Sequence, residues 1–90
     1  MATYSFEGQY VSAYNSWTSQ QYTVGDYGFA QFRITQSDYL QGLRCYIARW
    51  GSLGGFEGET EGTYIASVYC YPGYTIQFIV TCENAGYFSA

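Results

Sequence analysis

The stretch from Tyr64 to Cys82, YIASVYCYPGYTIQFIVTC, limits what this chain can fold into more than any other. Two runs rich in Ile, Val, Tyr, Phe and Thr flank Pro72, the only proline, and Gly73. Proline presets the φ of position i+1 in a type I or II turn, and glycine accepts the positive φ at i+2 of type II. The pair predicts the turn of a β-hairpin. In that register Tyr71 faces Tyr74, Tyr69 faces Ile76, Ser67 faces Phe78 and Ile65 faces Val80. Alternation puts Ile76, Phe78, Val80 and Cys82 on one strongly apolar face, which belongs in a core. The uncharged, proline-free window TIQFIV is an aggregation hazard if left open. The rest of the chain has to cover it.

Ninety residues allow one domain, 1–90, whose modest core buries roughly 60–65% of the unfolded surface. Aromatics make up 22% of the chain, twelve of them Tyr, with eleven Gly and one Met. This is the composition of a sheet protein, not a helical or disordered one. Candidate strands follow in order. Residues 2–14 read as one bent strand or two short ones with a bulge at Gly8, and Trp17 to Thr23 as a polar-aromatic strand. Phe29 to Thr35 alternates Ala30, Phe32 and Ile34 against Gln31, Arg33 and Thr35. Leu43 to Trp50 turns Leu43, Cys45 and Ile47 inward, since Arg44 belongs in water. Gly51 to Gly62, GSLGGFEGETEG, reads as a flexible loop. No segment joins a 3.6-residue apolar period to helix caps. The expected fold is all-β, a small antiparallel β-sandwich or partly open barrel of about six strands.

Charge and residue type narrow the function. The net charge is −4, and the only basic side chains are Arg33, Arg44 and Arg49. Nucleic acid is not an expected partner, because phosphate neutralisation needs several cations on one surface. No apolar run approaches the ~20 residues that cross a bilayer, so no membrane partner is expected. Met1 is followed by Ala-Thr-Tyr, with no basic and apolar leader pattern. The low-Lys, Tyr/Ser/Thr/Gly-rich composition nevertheless resembles extracellular or cell-surface proteins.

The absence of His and Lys removes the usual general base, Schiff-base chemistry and most zinc sites. The chain is therefore expected to be no enzyme and to need no cofactor. Glu57, Glu59 and Glu61 would share one face of a strand and could meet Ca²⁺, although the spacing is not that of an EF-hand. A solvated acidic loop tip is the commoner outcome. Three thiols cannot all pair. The hairpin register sets Cys70 too far from Cys82 for a bond. Cys45 and Cys70 meet no such obstacle, while three buried reduced cysteines remain the alternative.

Aromatics are the stronger signal. Exposed Tyr and Trp offer apolar faces with a polar tip and are enriched at binding hot spots. Tyr14, Trp17, Tyr22 and Trp50 are the candidate ligand-binding residues, with Trp17 placed on a recognition surface rather than in the core. The segments Tyr14-Asn15-Ser16-Trp17, Gly25, Gly42-Leu43-Arg44-Cys45-Tyr46 and Gly62 to Cys70 resemble the tendamistat family of microbial α-amylase inhibitors over about residues 14–70. The resemblance implies a six-stranded β-sandwich, a disulfide between Cys45 and Cys70, and an aromatic-basic turn that plugs an enzyme cleft. It departs at that turn, where Trp17-Thr18-Ser19 lacks the family's arginine. The first family disulfide is also missing, with Tyr10 and Asp26 near its positions.

Two expectations follow. One is a non-catalytic module presenting Trp and Tyr to a protein or carbohydrate partner. The other is a structural subunit, a homo-oligomer that assembles through sheet edges and tyrosine-rich faces, with Tyr69, Tyr71 and Tyr74 clustered around one turn.

Overall fold

The computed structural model describes residues 2–90, and among them there is no helix. Nine strands form: β1 (Gln9–Val11), β2 (Ser16–Thr23), β3 (Gly28–Arg33), β4 (Gln36–Ser37), β5 (Arg44–Trp50), β6 (Phe56–Gly62), β7 (Ile65–Cys70), β8 (Thr75–Thr81) and β9 (Gly86–Ser89). All pairings are antiparallel, in a four-stranded sheet β2-β8-β5-β6, a three-stranded sheet β1-β9-β4 and a two-stranded sheet β3-β7. The fold is all-β as expected, with nine strands in place of about six. The two smaller sheets are joined where the Thr35 N–H donates to the Ser89 carbonyl at 2.9 Å. Their inward residues meet those of the four-stranded sheet in one core.

The alternation read from the sequence selects that core. Ile76, Phe78, Val80 and Cys82 are buried, as are Leu43, Cys45, Ile47, Phe32 and Ile34. Phe32 of β3 stacks on Phe78 of β8 with ring centroids 4.8 Å apart, so the two layers touch ring to ring. Val11 and Phe88 close the core from the three-stranded sheet.

The hairpin expected at Pro72-Gly73 does not form. The turn itself is present: Gly73 has φ +89°, and the Tyr74 N–H donates to the Tyr71 carbonyl at 3.1 Å. Its two strands, however, enter different sheets. β7 pairs with β3, from Gly28↔Cys70 to Arg33↔Ile65, while β8 lies between β2 and β5. Tight hairpins favour primed turns, whose twist matches that of the strands, and a type II turn splays them. Here the splay carries the chain from one layer to the other.

The supposed loop 51–62 contains β6. Its register on β5 shifts between Arg49 and Trp50, where Gly58 adopts φ +114°, a backbone conformation that glycine permits. The bulge sends Glu57 to Arg49 (3.6 Å) while Glu61 lies beside Arg44 (3.0 Å). Cross-strand ion pairs thus complete a strand that glycine content disguises. Among the described residues no cluster of acidic, His or Cys side chains is arranged to hold a metal ion.

The Cys45–Cys70 disulfide is also corrected. All three cysteines are buried and unpaired. Cys45 lies opposite Val80 in the β5–β8 ladder. Its thiol donates to the Gly62 carbonyl at 3.4 Å, while the Cys70 thiol donates to the Val68 carbonyl at 3.8 Å. Cys70 and Cys82 are likewise not bonded to each other, as expected; Cys70 ends β7 in the two-stranded sheet and Cys82 follows β8 of the four-stranded one.

Candidate functional site

The four residues singled out in the sequence do not come together. Tyr14 stands alone in the turn after β1, 81% exposed and with φ 58°. Trp17 pairs with Val80 and so shares its inward face. Its ring packs on Phe6 and Phe88, with centroids 5.2 and 5.0 Å away, and stacks over Phe32 at 6.3 Å. Its Nε1 donates to Gln9 Oε1 at 3.3 Å. Trp17 is thus part of the core's rim, and its expected outward placement is corrected. Of the polar run after it, Thr18, Gln20 and Gln21 are exposed and only Ser19 is buried: its hydroxyl accepts the Phe78 N–H (2.9 Å) and donates to the Gln20 carbonyl (2.7 Å). Trp50 is half-buried against Phe56 at the end of β5.

Tyr22 occupies the inward face of β2 at the other end of the sheet, paired with Ile76. It lines an open groove of about 680 Å³ together with Tyr4, Tyr27 and Phe29. Tyr4 lies on Tyr22 with centroids 4.1 Å apart. Ala30, Cys70 and Ile76 line the same groove, and Asp26 is its only ionisable carboxyl. The loop from Val24 to Tyr27 is fixed to the Pro72-Gly73 turn: the Val24 N–H donates to the Tyr74 carbonyl (2.7 Å), and the Gly73 N–H to the Val24 carbonyl (2.9 Å).

Beside the groove the rings run on across the surface. Phe29 meets Tyr69 (5.2 Å), Tyr69 meets Tyr71 (5.4 Å), and Tyr71 touches both Tyr27 (5.7 Å) and Tyr74 (5.3 Å). Mostly edge-to-face, they form an array whose members are largely exposed. Arg49 anchors its far end. Its guanidinium lies 5.5 Å from the centre of the Tyr74 ring, donates to the Tyr69 carbonyl at 2.6 Å and pairs with Glu57. The Tyr74 hydroxyl donates to Glu57 Oε1 at 3.4 Å, and desolvation, then the Glu57 carboxylate, raises the phenol above its ordinary pKa.

Comparison with protein-family models, curated proteins and solved structures finds no match to this chain. The site has to be read from its own chemistry. It offers ring faces, phenol hydroxyls, the Asp26 carboxyl in the groove and the Arg49–Glu57 pair at the far end of the array. Burial pushes the Cys70 thiol up, against a smaller opposing effect of Arg49, so the thiolate needed for nucleophilic attack is disfavoured. Sequence reasoning found Tyr69, Tyr71 and Tyr74 as a cluster but missed Tyr4, Tyr27 and Phe29. The signal for Phe29 was its alternation with Gln31 and Arg33, which puts it on the outer face.

Proposed function

We propose that this chain is a non-catalytic binding module that holds a protein or carbohydrate partner on its aromatic surface. One observation carries the reading: the exposed array of Tyr69, Tyr71, Tyr27 and Phe29 runs without a break into the groove lined by Tyr4 and Tyr22. Exposed rings that already touch one another lose little side-chain freedom on binding, and their faces suit sugar C–H surfaces or apolar peptide side chains. The hydroxyls at the rims supply direction. Titration of the ¹⁵N-labelled protein with an oligosaccharide panel and with α-amylase tests the reading. Amide shifts should centre on residues 26–30 and 69–74, and Tyr71→Ala and Phe29→Ala should each weaken binding ~10-fold or more, as hot-spot truncations do. A ligand that binds both variants like the wild type would remove the array from the site.

A further inference from the structure

Three sheets present six edges, and all but one are guarded in the ways that prevent strand addition. β1 and β4 have three and two residues. β2 is interrupted by the register shift between Thr18 and Gln21, and β6 carries three glutamates. On β7, the Ile65 carbonyl is pressed against Gly62, and Arg49 takes the Tyr69 carbonyl. Between Phe29 and Arg33 the outer edge of β3 has no such guard; its first residues border the groove, and past its far end Thr35 meets Ser89. The Ile34 N–H donates to the Tyr64 carbonyl at 2.8 Å, continuing the β3–β7 register. In an antiparallel ladder this assigns the even-numbered residues to β7 and turns the N–H and C=O of Phe29, Gln31 and Arg33 outward. Thr35, next in that series, bonds Ser89 on the outward side. The outward groups of Phe29, Gln31 and Arg33 have no partner among the described residues. Their side chains are exposed, and the ladder behind them runs without a bulge.

We infer that β3 pairs antiparallel with β3 of a second copy of this chain, about a twofold axis at Gln31, to give a continuous sheet in the order β7-β3-β3-β7. Charge selects the register. With Gln31 opposite the partner's Gln31, Phe29 faces the partner's Arg33, ring beside guanidinium, an attractive pair. The two Arg33 side chains then lie ~13 Å apart along the strands. A twofold at Arg33 would set the two guanidinium groups directly against each other. Neither β3 nor β7 carries an acidic residue, whereas the chain as a whole is at −4, so this is where two copies repel least. On the inward side Ala30 meets the partner's Phe32, small against large. The pairing sets the two aromatic arrays on one face of one sheet, a bivalent surface that neither copy has alone.

Sedimentation and light scattering from ~1 μM to ~1 mM should show a monomer–dimer equilibrium, the range expected of a small interface. Gln31→Lys and Gln31→Glu each place like charges across the twofold and should weaken the dimer ~10-fold or more, while an equimolar mixture should restore it. On the wild-type chain, raising the concentration should slow amide exchange at Phe29, Gln31 and Arg33 and leave Ala30 and Phe32 unchanged. A wild-type monomer throughout the range overturns the inference. So does a dimer that tolerates both charges, or one whose added protection lies elsewhere.

Discussion

Replacing Trp17 by alanine removes an indole that touches Phe6, Phe32 and Phe88 and leaves the Gln9 side chain without its donor. A packed tryptophan buries roughly 150–250 Å². Since Trp17 is only partly buried, ~130 Å² of apolar contact is lost, or ~3 kcal/mol at ~25 cal/mol per Å². The Gln9 bond, at 3.3 Å, adds little. A domain of this size holds ~5–13 kcal/mol in all, so the variant should still fold, with Tm lowered by ~10–20 °C. Urea and thermal unfolding followed by far-UV circular dichroism measure both quantities. Trp17→Phe should recover at least half of the loss, because a smaller ring keeps the contact with Phe88. A loss below ~1 kcal/mol, the scale of surface substitutions, would mean that the indole is not committed to the core and that the packing argument is wrong.

Phe78→Ala should cost ~3–5 kcal/mol, since it removes a ring stacked on Phe32 at the meeting of the layers; urea unfolding decides it. Ser19→Ala should cost ~1–3 kcal/mol by leaving the buried Phe78 N–H without its acceptor, and a change under ~0.5 kcal/mol would show that water replaces the hydroxyl. The native protein should leave all three thiols unreacted with an aromatic disulfide reagent and release three equivalents once unfolded, because each is buried. Burial raises every one of these thiols above 9.0 in the fold. The unfolded chain therefore loses those protons first, so their contribution is complete below about pH 8.5 and declines as pH rises beyond it; urea midpoints that increase above about pH 9 would contradict this sign.

Period-two alternation was readable wherever a strand keeps one face dry. Ile76, Phe78 and Val80 lie inward because every second side chain is large and apolar, and that holds whichever strands β8 pairs with. Pairing itself was not readable. The sequence around Pro72-Gly73 specifies a turn, and only the twist of that turn decides between a hairpin and a crossing between layers. β6 escaped notice because glycine weakens strand propensity locally, whereas its stabilising contacts, Arg44 with Glu61 and Arg49 with Glu57, come from another strand. Trp17 was misplaced for a related reason. Its polar neighbours suggested a wet surface, but a bulge lets Ser19 satisfy its own groups and leaves the indole facing in. The aromatic array joins residues about forty positions apart, Phe29 with Tyr69, and only the β3–β7 register brings them together.

The crossing at Pro72-Gly73 also fixes the order in which the molecule can be completed. β8 is the second-to-last strand to be synthesised, yet it fills the slot between β2 and β5, with Val80 lying opposite Trp17 on one side and Cys45 on the other. Until it arrives, β2 and β5 have no common neighbour, and their inward faces have nothing to close on. Contacts of such sequence separation place the chain among slow folders, in the millisecond-to-second class. A chain ending before Pro72 would thus be no smaller domain but an open pair of sheets waiting for a strand. During synthesis, the interval before β8 docks is when this protein most needs to be kept from its neighbours.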